Sequence, residues 1–307
     1  WQQTPAGHHI VGEGSQARAE IVDFWAVVFN PSSVDRISHT IMGCWQAGAW
    51  LVLSVSAYYL LRGRHEKIAK KSMQLALVLA LVSSLGQLAT GHTSAEGVGA
   101  NQPAKLAAFE GHYEASAPAD LYLFGWVDEK NEKVIGIGIP GMLSMMLHRD
   151  FKAPVTGLRA FAPEDRPPVQ IVFQSYHAMV GIGMILIGLA AGGLMLLRGG
   201  RLYRMRWLLW TFVAAVLLPQ LANQLGWMSA EVGRQPWIVY GLLRRVDGLS
   251  RVVNANQVLW SIIMFALIYA LLMAVFLFLL DKKIKHGPGP DEEATVADGM
   301  LTEGRDA

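Results

Sequence analysis

Charge is what this sequence has least of. Only 16% of its 307 residues are Asp, Glu, Lys or Arg, and the formal net charge is +2. So small a surplus excludes a nucleic-acid partner held by a basic surface. Cysteine is nearly absent as well. Cys44 alone excludes a disulfide framework, a paired-cysteine metal site and a thiolate-held iron–sulfur cluster. Its place inside an apolar run predicts a buried bystander thiol. No signal-peptide pattern of basic, apolar and small residues follows Trp1, and the chain, which does not begin with Met, reads as a fragment. No internal repeat is visible. What the sequence does have is apolar length: 52% of residues are hydrophobic and the mean hydropathy is +0.31, ordinary values for a polytopic membrane protein.

Five runs are long enough to cross a hydrocarbon core of roughly 30 Å, which needs about 20 apolar residues in a helix. They are Thr40–Leu61, Met73–Thr90, Ala178–Leu197, Trp207–Trp227 and Val258–Leu280. Pro219 should kink the fourth, leaving a carbonyl that a neighbouring helix must cover. Short basic segments follow the first, third and fifth runs: Arg62–Lys71, Arg198–Arg206 and Asp281–His286. The positive-inside rule puts all three in the cytoplasm, so His92–Gln170 and Met228–Gln257 face outward. The fold class is therefore all-α: a polytopic transmembrane bundle with five spans and one long outer loop. The chain divides into an outer-face segment (1–39), the first two spans (40–91), the outer loop (92–170), the remaining spans (171–280) and a tail (281–307). Ala19–Asn30 is periodic but too short to cross; it predicts an interfacial helix with Trp25 in the aromatic belt. The outer loop is far longer than the ~15 residues beyond which loops carry function or are disordered, and its aromatic and helical patterns argue for function. From Gly287 onward, prolines, glycines and acidic residues predict a disordered cytoplasmic tail.

Polar groups near spans are costly and tend to mark sites. His39 opens the first span, Met179 (beside His177) opens the third, and Glu231 lies just past the fourth, all at the outer side. A facing His and Met could hold a low-spin haem, a pairing that raises the iron potential. Taken alone, however, a His at a helix entrance is more often an interfacial hydrogen-bonding residue and a Met in an apolar helix more often core packing, and Glu231 could simply pair with Arg234. In Gln102–Glu114, Leu106, Phe109 and Tyr113 form an apolar stripe at helical spacing, with Glu110 and Glu114 flanking it and Lys105 and His112 near Phe109. A quinol needs a flat apolar slot and groups that accept its protons. A surface helix with solvated charges would read the same way.

Four segments carry a family resemblance: GWMSAEVGRQPW (226–237), QPAKLAAFEGHYE (102–114), SYHAMVGIG (175–183) and the spacing from Asn30–Pro31 to His39. In this order they resemble subunit I of cytochrome bd-type quinol oxidases, over nearly the whole chain except the tail. The resemblance implies that His39 and Met179 are the axial ligands of haem b558. It implies that Glu231 is the ligand of haem b595, that Trp227 lies between haems, and that Arg234 steadies propionates or the ligand region. Lys105 and Glu110 match loop residues associated with quinol oxidation. His177 stands where some members carry arginine, and the loop is short, as in the short-loop branch.

Family subunit I has further spans ahead of this region, so the resemblance implies a missing N-terminal part and only half of an oxygen-reducing centre, with the fragment inactive by itself. It implies haem d, membrane quinol, oxygen, a second subunit and the bacterial cytoplasmic (inner) membrane. The expected function is quinol oxidation at the outer face, with electrons passed through haem b558 to high-spin haems that reduce oxygen to water. One alternative is a quinol-linked cytochrome b relay without the oxygen site. Another is a haem-free transporter, which predicts inverted repeats and broken midplane helices that the sequence does not display.

Overall fold

The computed structural model describes residues 1–250 and 252–289, so most of the segment expected to be a disordered tail lies outside the described residues. The elements run β1 (His8–Val11), β2 (Arg18–Ile21), α1 (Phe24–Val28), α2 (Ser33–Arg62), α3 (Glu66–Asn101), α4 (Pro103–Phe109), β3 (Leu121–Asp128), β4 (Lys133–Ile139), α5 (Met142–His148), α6 (Val169–Leu197), α7 (Arg206–Ala214), α8 (Leu217–Val232), β5 (Trp237–Val239), β6 (Leu243–Arg244) and α9 (Ala255–His286). Helices dominate. The strands form three two-stranded antiparallel hairpins, β1–β2, β3–β4 and β5–β6.

Five helical stretches, one of them the α7–α8 pair, are long and apolar enough to cross a membrane, and each contains one of the five expected runs. Their ends differ from expectation. α3 continues eleven residues beyond Thr90 to Asn101, so the second helix runs well past its expected apolar stretch and walls the loop region beyond it. α6 starts at Val169, directly after Pro168, nine residues before the apolar run. Pro preceding a helix start is the ordinary signal for this boundary. The fourth span is broken where Pro219 requires it. Pro219 has no N–H for the carbonyl of Ala215, and that carbonyl instead accepts the Leu218 N–H at 3.1 Å. Two residues earlier the Val213 carbonyl accepts the Ser54 hydroxyl of α2 at 3.0 Å, so a neighbouring helix does cover part of the break.

α2 packs on α3, α3 on α6, α6 on α8 and α8 on α2, closing a four-helix ring that α7 extends along α2. Its core holds Trp50, Leu53, Leu77, Leu186 and Phe212, all fully buried. In hydrocarbon the hydrophobic effect does not drive helices together; close approach and hydrogen bonds do. Gly193 of α6 supplies such an approach: a Cβ there would lie 2.7 Å from Leu77 Cδ2 and 3.1 Å from Phe212 Cζ. Gln46 and Ser84, both buried, bond across α2 and α3 at 2.7 Å. Cys44, expected inside, is exposed on the outer surface of the ring. It follows Gly43, which faces Asn223 of α8, and one helical step carries it away from that interface.

The outer region has a core of its own, built from Leu106, Phe109, Tyr113, Val127, Leu158 and Phe173. Burial away from water stabilises such a core by roughly 1.5–3 kcal/mol for each large side chain. Two local expectations change here. Residues 19–30 do not form one interfacial helix: Arg18–Ile21 is strand, and α1 starts where Asp23 caps it by accepting the Ala26 N–H at 3.0 Å. The Gln102–Glu114 helix also ends early. Gly111 takes φ +62, a left-handed value, and a Cβ there would lie 2.5 Å from Val134. Leu106, Phe109 and Tyr113 still meet in one cluster, but after Phe109 the chain turns rather than winding on.

Candidate functional site

The residues singled out in the sequence collect at the outer end of the ring, in three groups. The first is His39. It lies inside α2 rather than before it, facing α3: Nδ1 lies 3.0 Å from Thr90 Oγ1 and Nε2 lies 3.0 Å from Gln87 Nε2. Gly91 leaves room for the ring, since a Cβ there would lie 3.3 Å from His39 Cε1. Gln87 Oε1 is buried with no partner among the described residues. Met179, across the ring on α6, lies over Gly226 of α8, where a Cβ would come within 2.8 Å of its sulfur. Gly43, one turn beyond His39, faces Asn223 of α8. The two candidate donors thus stand on different helices that share α3 and α8 as neighbours. Small residues thin the walls beside them, and an imidazole and a thioether are a proper axial pair for haem iron. This donor set, with one buried orphan oxygen beside it, fits a haem. Among the described residues no group of three or more His, Cys, Asp and Glu is disposed to hold a bare metal ion.

The second group surrounds Glu231. Arg234, one turn on, donates to Glu231 Oε2 at 2.5 Å, and Gln3 donates to Oε1 at 3.1 Å. Lys105 belongs here. The residue is 2% exposed, and its ammonium donates to Gln3 Oε1 at 2.9 Å and to the Ala230 carbonyl at 2.8 Å. Burial, followed by the nearby Arg36, holds Lys105 well below the ordinary lysine pKa. Gln102 ties the same segment down through the Gln3 carbonyl at 2.5 Å. Gln3 was invisible in the sequence, because nothing in an extended N-terminal stretch marks it as the partner of residues a hundred and more positions away. Trp227 is not enclosed: it is 69% exposed, one turn from Glu231 on the open side of α8.

The third group surrounds Glu110, which α4 directs away from Lys105. Five residues along a helix separate two side chains by about 140° around its axis, so the two loop residues expected to act together serve different neighbourhoods. Glu110 is 2% exposed, and its Oε2 has no hydrogen-bond partner among the described residues. Burial pushes its carboxyl up to about 8. His177 Nε2 stands 4.0 Å from that oxygen. Phe109 stacks on Tyr176 at 4.6 Å and Phe173 on His177 at 4.0 Å, which lines the surroundings of the carboxyl with aromatic faces. The solvated-surface reading of this segment therefore fails, since its central charges are enclosed.

A ladder that the sequence did not reveal fastens this group. Gln170, Gln174 and His177 follow one another at spacings of four and three along one face of α6. Gln170 Oε1 accepts the Val127 N–H at 2.9 Å, Gln174 Nε2 donates to the Gly125 carbonyl at 2.7 Å, and His177 Nε2 meets the Tyr122 carbonyl at 2.8 Å. Helix side chains thus satisfy the edge of β3 that β4 leaves free, and the hairpin is seated on α6 over Glu110.

Such a molecule is a multi-pass membrane protein with a histidine and a methionine on facing helices and an enclosed carboxyl at one end of its helical ring. The sequence model for cytochrome bd terminal oxidase subunit I matches residues 1–288. Cytochrome bd ubiquinol oxidase subunit 1 of Bacillus subtilis (strain 168) is 36% identical over 307 residues, covering 96% of this chain and 65% of its own length. Cytochrome bd-II ubiquinol oxidase subunit 1 of Escherichia coli (strain K12) is 27% identical, covering 94% and 68%. The solved bd oxidase from Geobacillus thermodenitrificans superposes with a TM-score of 0.84 at 29% identity, over 94% of this chain and 65% of that one. The chain belongs to the cytochrome bd terminal oxidase subunit I family, and it spans about two thirds of the length of these relatives.

Proposed function

We propose that this chain is the quinol-oxidising part of a quinol:oxygen oxidoreductase of the bacterial cytoplasmic membrane. The observation that carries the reading is Glu110: an enclosed carboxyl with one unpartnered oxygen, walled by aromatic rings, at the face the charge pattern turns outward. Oxidation of a quinol releases protons, and a base whose pKa lies near working pH accepts them most efficiently. Glu110, raised to about 8, meets that requirement. Phe109, Phe173 and Tyr176 supply flat apolar surface and exclude water, and His177, held by the Tyr122 carbonyl, stands 4.0 Å from the carboxylate without a hydrogen bond to it.

His39 and Met179 would hold haem b558, and Glu231 would face haem b595 with Arg234 fixing its orientation. A haem on the His39–Met179 pair supplies one-electron transfer at an iron whose potential the thioether raises. Lys105 and Arg234 place two buried cations around the single carboxylate of Glu231, a surplus suited to anionic propionates. Trp227, open to the side of α8, is the residue left free to meet groups carried outside this chain. A second membrane subunit, an N-terminal part of subunit I and haem d complete this reading, with oxygen as the electron acceptor.

The test is a reduced-minus-oxidised visible spectrum of membranes expressing the complete operon, with quinol-driven oxygen uptake measured on the same sample. A b-type band with a red-shifted chlorin band and uptake abolished by Glu110→Gln is the expected result. A b-type band without oxygen uptake would replace it by the relay cytochrome, and no haem signal from inserted protein would overturn both.

A further inference from the structure

The β3–β4 hairpin is apolar on the wrong side for a segment surrounded by water. Its inner face carries Val127, Val134, Gly125 and Gly136 against the Glu110 cluster. Its outer face pairs Phe124 with Ile137 and Trp126 with Ile135. These four side chains are 57–64% exposed. A continuous patch of large apolar residues, two of them aromatic, is rare on a surface that meets only water.

The ladder on α6 gives the depth of this patch. Tyr122, near the base of the hairpin, is tied to His177, two residues before Met179 and one before the uninterrupted apolar stretch from Ala178. Val127, near the tip, is tied to Gln170, about two helical turns further out. The tip itself, Asp128–Lys133, is polar throughout: Asp, Glu, Lys, Asn, Glu and Lys. The hairpin therefore runs from a base at the edge of the membrane to a charged tip beyond it. Beside it α6 is exposed and apolar at Ile171 and, about four turns further along nearly the same side, at Ile185 within the span, so the patch continues a surface that meets lipid. Trp and Phe at this depth are the usual anchors of the interfacial zone.

We infer that the outer face of the β3–β4 hairpin rests on the outer leaflet of the bilayer, with Phe124, Trp126, Ile135 and Ile137 at the boundary between headgroups and acyl chains. The hairpin then has two seats: its inner face and the α6 ladder hold it over Glu110, and its outer face is held by lipid. The inference rests on the depth and exposure of these residues and not on the quinol reading, so either can fail without the other.

The test uses the intact oxidase complex in phosphatidylcholine–phosphatidylglycerol nanodiscs, with Cys44→Ser as background. Nitroxide labels go on Phe124→Cys, Ile137→Cys and, at the tip, Asn131→Cys. Power-saturation measurements then compare collisions with oxygen, which concentrates in lipid, and with a water-soluble nickel chelate. Oxygen should exceed the chelate severalfold at positions 124 and 137, with the order reversed at 131. Chelate-dominated relaxation at 124 and 137 would place the patch in water and overturn the inference. Poor access to both reagents would overturn it in favour of a covering protein surface. Each variant is first checked for an unchanged haem spectrum, and Ile135→Cys, on the same face, replaces either hairpin position that fails to assemble.

Discussion

α6 and α9 are both long, apolar membrane helices, and they are placed in opposite ways. α6 packs on α3 and α8, and of its five glycines Gly193 is the one at a close approach, against Leu77 and Phe212, while a Cβ at 181, 183, 188 or 192 would meet none of the described residues within 4 Å. α9 has no glycine from Ala255 to His286, and among the described residues it buries none of its side chains. It touches the ring at its C-terminal end, where the Tyr59 hydroxyl donates to the Ile284 carbonyl at 2.8 Å and Arg64 to the Lys285 carbonyl at 3.0 Å. Hydropathy alone ranks α9 as the more obvious membrane helix. The comparison teaches that hydropathy says a helix is in the bilayer, while small residues and side-chain hydrogen bonds say what it is in the bilayer with.

The contrast can be broken most severely at Met179. Met179→Leu removes the thioether from α6 without adding charge, and the low-spin b-type spectrum should be lost or converted while the chain still inserts. An unchanged spectrum sinks the ligand assignment. Next comes Glu110→Gln, against α6: quinol-driven oxygen uptake should fall by about 10²- to 10⁴-fold, the usual contribution of a positioned acid or base. Burial raises the Glu110 pKa above its ordinary value to about 8. The neutral carboxyl therefore favours the folded state at acid pH, and that advantage is lost as pH rises through 8. The proton-accepting form grows over the same interval, so kcat/KM of the wild type should climb towards pH 8 and level off. The profile of the Gln variant should be flat.

Packing comes third. Gly193→Leu in α6 forces atoms against Leu77 and Phe212 and should cost about 1–3 kcal/mol or more, read as a lowered Tm in detergent. Gln174→Ala releases one rung under the hairpin. It should cost about 1 kcal/mol and raise KM for quinol more than it lowers kcat, because the loop is loosened while the redox groups are untouched. Leu271→Ala in α9 should change stability by less than about 0.5 kcal/mol, as for an exposed position. A loss of several times that size would mean that another chain packs on α9 and would sharpen the comparison into an interface.

Five membrane helices were legible, and His39, Met179 and Glu231 could be placed towards the same end of them, because hydropathy and positive charge act through composition over short windows. The motif segments were legible because each carries its own residues in a short string. The hairpin was missed because Gly125, Gly136 and Gly138 interrupt the alternation that announces a strand, and the pairing of Phe124 with Ile137 spans a charged turn. The early start of α6 was readable from Pro168 but hidden by polar Gln170 and Gln174, which looked like loop.

The sequence by itself determined the environment of each segment, lipid or water, because transfer free energy is a property of the residues in a window and needs no partner. Tertiary structure alone decided the neighbours: that Lys105 sides with Gln3 and Glu231 while Glu110 sides with His177, and that α6 is held where α9 stands free. Those outcomes depend on which side of a helix meets which other helix. Helix periodicity offers such choices, and only the packing of the whole bundle selects among them.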